Sequence, residues 1–215
     1  MCFWFRKRKE KIKEEIKLII DFIEGKKPIN EFKNDIENNV HLKDFLKKKV
    51  NNPSLSYYNY NYYDYVHRQY RNIKNWDIVY VRYNLQEMLR LHLSRLGYDF
   101  EVYQKYREDY IYILDIRPAW LGWGDDQGIF DKIIAEIPAD LPKTKRIKLG
   151  REKIKELFKY DKTYPRWVQG AEWPIVDGKP LVFSHQKKAG RDDERVFYYF
   201  YDPETKEETV IMQLY

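Results

Sequence analysis

Cysteine is all but missing. Cys2 is the one example in 215 residues, which excludes an intramolecular disulfide and a cysteine-based zinc site and leaves nothing that demands an oxidising compartment. Histidine is scarce too. His41, His67, His92 and His185 are the four, and no two stand at the i, i+4 spacing of a helical zinc pair. Long apolar runs are also lacking. No stretch approaches the roughly 18 residues of a membrane span, and residues 1–5 fall short of the roughly 7 to 15 apolar residues of a secretory signal, with the basic residues on the wrong side. The expectation is a cytoplasmic protein that spans no membrane.

Catalytic signatures are missing as well. No Gly-x-x-x-x-Gly-Lys-Ser/Thr occurs, no Gly-x-Gly-x-x-Gly follows a strand, and no Gly-x-Ser-x-Gly is present. Asp115 with Glu204 and Lys206 has the residue types of a nuclease carboxylate cluster, but Glu204 and Lys206 fall in a predicted turn. Asp125 and Asp126 are too few donors for an oxygen-ligand cation cage and suit the N-terminal cap of a helix over residues 129–137. No cofactor and no metal are expected. An enzyme stays open as a third reading, since a site can be assembled from residues distant in sequence.

What is present is charge and aromatic area: 34% charged and 17% aromatic residues belong to a soluble globular chain. The net charge of +6 is unevenly placed, because residues 1–50 hold 14 Lys and Arg against 9 Asp and Glu, leaving 26 against 25 for the rest. Residues 1–9, MCFWFRKRK, fit either a tucked aromatic end or a contact with an anionic lipid surface.

The fold class expected is α+β, with a helical N-terminal part packed on a C-terminal, mostly antiparallel sheet. Residues 1–50 form the helical part, 51–76 a Tyr/Asn-rich connection and 77–215 an α+β core. Ile12, Ile16, Ile19, Ile20 and Ile23 recur at helical spacing, and Gly25 stops the helix. Phe32 and Ile36 share a second helical face, and Leu42, Phe45 and Leu46 a third after Asn38-Asn39. In the connection, seven tyrosines fall between Tyr57 and Tyr70. Tyr60, Tyr62, Tyr63 and Tyr65, followed by Arg68, Arg71 and Lys74, suit a recognition surface able to stack on bases and meet phosphates, or else line a long loop.

Residues 77–83 read as a short strand or a helix approach, with Asn84 capping a leucine-rich helix that Gly97 ends. Residues 110–116 read as an early strand, Trp120 and Trp123 as an aromatic turn, and residues 150–160 as a last helix. Residues 195–201 and 208–214 form a hairpin. The second of its strands, apolar at Val210, Met212 and Leu214 and again at Ile211, reads as lying inside a sheet covered on both faces.

Residues 164–186, YPRWVQGAEWPIVDGKPLVFSHQ, join the two halves. Pro165 and Pro174 hold the chain extended around Trp167 and Trp173, Asp177-Gly178 is a turn, and Pro180 opens a strand over residues 181–183. The indoles either pin a β-turn-β corner or form a stacking platform for a ligand. Trp173, Pro174, Gly178, Pro180, Leu181, Phe183 and Gln186 spell W-P-x-x-x-G-x-P-L-x-F-x-x-Q, which resembles the central motif of a group of uncharacterised bacterial proteins. In that group a Gly-Gly-x-Pro element usually precedes the motif, where PRWVQ stands here. The helical opening and the closing DPETKEETVIMQLY resemble immunity-type proteins that guard bacteria against toxins of their kin. That resemblance implies a non-catalytic protein that occludes a cognate toxin, one with an acidic or neutral surface given the positive charge of this chain. The alternative is a nucleic-acid-binding protein using the basic helices and the tyrosines.

Overall fold

Helix α1 (Glu14–Ile23) forms where isoleucines at i, i+3 and i+4 give one apolar stripe, and it buries Ile16, Ile19, Ile20, Phe22 and Ile23. Gly25 follows at φ +71 and stops it, as its sequence position predicts. Pro28 precedes α2 (Ile29–Asn38), and Asn39 caps α3 (Val40–Lys47) by accepting the Leu42 N–H at 3.0 Å. The computed structural model describes residues 12–48, 61–122, 127–190 and 193–215. Residues 1–9, Cys2 and the proposed cap at Asp125 or Asp126 lie outside them.

The fold is α+β, helices preceding a three-stranded antiparallel sheet. The chain divides into two units, Met1–Asp77 with Val81–Gln104, and Ile78–Tyr80 with Lys105–Tyr215. In the first, part of the tyrosine connection is helical. Asn61 accepts the Asp64 N–H at 2.8 Å and starts α4 (Tyr62–Tyr70), in which Tyr62, Val66 and Tyr70 form a buried i, i+4, i+8 stripe. The loop reading is corrected over those residues. Helix α5 (Val79–Arg95) already begins at Val79, so residues 79–83 are not a strand and Asn84 is interior rather than a cap. Leu85, Leu89 and Leu93 are buried, whereas Leu91 and Leu96 are exposed. Buried Gln86 holds the unit's loops by donating Nε2 to the carbonyls of Ile23 at 2.7 Å and Tyr103 at 3.1 Å.

The second unit corrects the strand expected at residues 110–116. They belong to α6 (Lys105–Ile116), whose Tyr112, Ile113 and Ile116 face the core. Composition favours strand, but Tyr112 and Ile116 are one helical turn apart and pack where Gly150 lets α8 (Lys143–Leu157) approach. A Cβ on Gly150 stands 2.6 Å from the Tyr112 hydroxyl. That last helix therefore starts a full two turns before Gly150. Between them lies α7 (Ile129–Glu136).

Strands β1 (Ile175–Val176) and β2 (Lys179–Pro180) form a two-residue hairpin closed by Asp177 at φ 48 and Gly178 at φ 73. Positive φ at both central positions is a type I′ turn, which Asp-Gly favours. Pro180 thus sits in the hairpin, and β3 (Val182–Lys188) begins just after it. Strands β4 (Arg195–Tyr201) and β5 (Glu208–Leu214) form the expected hairpin, in the order β3-β4-β5. β5 is an edge strand, not an internal one: Val210, Met212 and Leu214 are 48%, 49% and 46% exposed. Its inward residues are Ile211 and Gln213.

Candidate protein-binding face

The strand register sorts the sheet into two faces. On the inner face Phe183 lies beside Phe200, and Gln186 beside Tyr198 and Ile211. Phe183, Tyr198, Phe200 and Val196 are buried with Phe158, Ile133 and Trp173.

Across that inner face runs the segment 166–170, fastened by one side chain from each strand. From β3, Gln186 accepts the Arg166 N–H at 2.7 Å. From β4, the Tyr198 hydroxyl donates to the Arg166 carbonyl and accepts the Val168 N–H, each at 3.0 Å. Burial pushes that phenol's pKa up, so it remains a neutral hydroxyl able to play both parts. From β5, buried Gln213 accepts the Gln169 N–H at 3.1 Å and donates to the Gly170 carbonyl at 2.7 Å. An irregular segment gains in this way the hydrogen bonds that a strand would have taken from a neighbour.

The three tryptophans anticipated here meet. Trp173 is 8% exposed and donates Nε1 to the Leu181 carbonyl at 2.8 Å, bridging the two ends of the β1–β2 hairpin. Half-buried Trp167 donates to the Trp120 carbonyl at 2.8 Å and packs on Tyr198 with ring centres 4.5 Å apart. Half-buried Trp120 lies 5.4 Å from Trp173 and stacks on exposed Tyr164 at 5.9 Å. The indole N–H of Trp167 and that of Trp173 are thus both committed within the chain. Trp123 lies outside the described residues.

Tyr62, Tyr63 and Tyr65 share α4 with Arg68, and Arg71 follows its end. Tyr62 is buried, its ring 4.3 Å from His92, so it offers no surface. Tyr63 and Tyr65 are half-buried, and Arg68 and Arg71 exposed. The Lys47 ammonium lies 4.9 Å from the Tyr63 ring centre, and His67 packs 4.2 Å from it. Tyr60 lies outside the described residues. His92 is buried against Tyr62 and Phe45, and burial, with the nearby Arg95 charge, holds its pKa down to about 4.

The outer face of the sheet is the feature that the sequence reading missed. The register builds two cross-strand rows, His185–Tyr199–Val210 and Lys187–Phe197–Met212, with Arg195 beside Leu214 at one end. His185 stacks flat on Tyr199, ring centres 4.4 Å apart and planes 3° from parallel. All of these side chains are exposed or half-buried. At its margin Arg195 is held by Asp193, whose carboxyl drops to about 2 under the guanidinium's hydrogen bonds. Beside β3, a groove of about 310 Å³ is lined by Lys162, Thr163, Arg166 and residues 183–186. The alternation in RVFYYFY and ETVIMQL held the signal for this face. What it lacked was the strand order that leaves one side uncovered.

Among the described residues no three His, Cys, Asp or Glu side chains gather as a metal site, and no helix is long and apolar enough to cross a membrane. Asp115 pairs with Lys143 at 2.9 Å, and Glu204 with Lys179 at 2.8 Å. No protein-family model, curated protein or solved structure gives a significant match to this chain.

Proposed function

We propose that this chain is a cytoplasmic binding protein of the immunity or antitoxin type, which occludes a partner protein with the outer face of β3–β5. The observation that carries the reading is the pair of rows His185–Tyr199–Val210 and Lys187–Phe197–Met212. Aromatic residues and Met are enriched in protein interfaces, where rigid rings supply area at small entropic cost. The cations of this face, Lys187 within the second row and Arg195 at the margin, suit a partner whose surface is apolar at its centre and acidic or neutral around it. The likeness of the closing segment to immunity-type proteins points the same way, since that segment contains β5 itself.

The test uses the product of the gene immediately upstream of this one. It should arrest bacterial growth when expressed alone, and co-expression of this chain should restore growth. Replacing Phe197 and Tyr199 together by Ser should weaken binding about a hundredfold, since a few central aromatics dominate such interfaces, while the chain stays folded. Undiminished protection by the double variant overturns the assignment of the face, and a harmless upstream product that does not bind overturns the function.

A further inference from the structure

Among the described residues nothing guards the free edge of the sheet at β5. Proteins commonly blunt an edge strand with a proline, a bulge, a lysine or a covering segment. β5 has none of these among Glu208–Leu214, and it pairs with β4 in an unbroken register of seven residues. β3 differs: its register shifts between Phe183 and His185, and its outer edge is met by Lys159, whose carbonyl accepts the Phe183 N–H. On β5, the bonds from Tyr215 N–H to the Glu194 carbonyl and from Asp202 N–H to the Glu207 carbonyl fix which backbone groups face β4. They are those of residues 207, 209, 211, 213 and 215. Glu208, Val210, Met212 and Leu214 turn their N–H and C=O groups outward, and among the described residues no backbone group outside the sheet bonds to them.

We infer that β5 pairs antiparallel with β5 of a second copy of this chain, about a two-fold axis at Ile211, to make one continuous six-stranded sheet. The strand is complementary to itself in that register. The outward groups of Val210 meet those of the second copy's Met212, and those of Glu208 meet Leu214, as hydrogen-bonded pairs that the axis repeats. On the outer face Val210 packs against Met212 twice, so apolar side chains that are nearly half exposed in one chain cover each other in two. On the inner side Ile211 faces its own copy. Charge agrees with the same orientation: Glu207 at the start of one strand faces the second copy's Tyr215, over whose ring Lys188 lies at 5.2 Å. A two-fold axis uses the β5 edge of each copy once, so assembly through this edge stops at two.

The inference is independent of the partner assignment, because purified chain alone tests it. The full chain, followed by sedimentation equilibrium, should pass from monomer to dimer as its concentration rises. In parallel, the amides of Val210 and Met212 should exchange with solvent at least about tenfold more slowly in the dimer, as newly bonded amides do. Those of Ile211 and Gln213, already bonded to β4, should change little. One double variant, Val210→Lys with Met212→Lys, and another, Val210→Glu with Met212→Glu, should each be monomeric, and an equal mixture should recover the dimer through Lys–Glu pairs across the axis. A wild-type chain that stays monomeric at about 100 μM, where a dimer with a dissociation constant below that concentration would be populated, overturns the inference. So does Val210 and Met212 exchange that ignores concentration, or a mixture of the two variants that fails to associate.

Discussion

A buried side chain with one committed polar atom is the unit on which the second half of this chain depends. Trp173 fills space between Phe158, Trp120 and Phe200 and ties the hairpin shut through Leu181. Trp173→Ala should cost about 3 to 5 kcal/mol, as truncation of a core aromatic does, read as a fall in the denaturant midpoint. An unchanged midpoint with loss of a ligand restores the stacking-platform reading. His92 gives a pH signature. Its pKa is about 4 when folded, against an ordinary value of 6.5. Below pH 6.5 the unfolded chain takes up a proton that the folded chain refuses, so the contribution is complete above 6.5 and is lost as pH falls towards 4. The slope approaches about 1.4 kcal/mol per pH unit in that window. Denaturant titrations from pH 7 to 4 should show a shallower fall for His92→Phe than for the wild type; parallel curves contradict the assignment.

At the scale of elements, period and punctuation were legible and neighbours were not. The helix ends at Gly25 and Gly97, the start at Asn39 and the Asp177-Gly178 turn could be read because each is set by a residue's own backbone preference. Residues 110–116 misled because Tyr and Ile favour strands locally, while contacts with α8, at Gly150 and through the Tyr112 hydroxyl to the Arg146 carbonyl at 2.9 Å, select a helix. β5 misled for another reason: apolar residues on both faces look the same in an internal strand and in an edge strand with one face bare. The corrected placement reverses the expected effect of mutation. Val210→Asp, which a covered strand could not tolerate, should cost no more than about 1 kcal/mol at an exposed edge. Ile211→Asp, turned inward beside Tyr198, should cost several times more, since it leaves a half-buried carboxylate unpaired against the core. Equal melting points for the two variants refute this division of the faces. The candidate face escaped notice for the same reason as the edge, whereas Trp120, Trp167 and Trp173 stood out as unusual residues and proved to be joined to one another.

Over the whole molecule, charge and topology separate. The first unit holds 20 Lys and Arg against 14 Asp and Glu and the second 20 against 20, so the entire +6 lies in the first. Arg68, Arg71 and Lys74 are exposed there, which is the observation favouring nucleic acid. Yet the surplus is small and mixed with carboxylates, as in the ion pair of Lys27 with Asp35 at 2.8 Å. Binding to duplex or single strands should be no tighter than roughly 10⁻⁴ to 10⁻⁶ M at physiological salt. Submicromolar binding that Arg68→Ala, Arg71→Ala and Lys74→Ala together abolish overturns the immunity-type reading. The segment fastened across the inner face carries a different consequence, one of time. Its bonds reach from Gln169 to Gln213, a separation of 44 residues, and they require all three strands to be in register first. It is therefore a late-forming lock. A β5 displaced by one residue presents Met212 or Leu214 where Gln213 belongs and cannot close it, so mispaired hairpins remain open to correction. Gln213→Leu, which leaves the Gln169 N–H and the Gly170 carbonyl unpaired, should speed unfolding while leaving the refolding rate nearly unchanged.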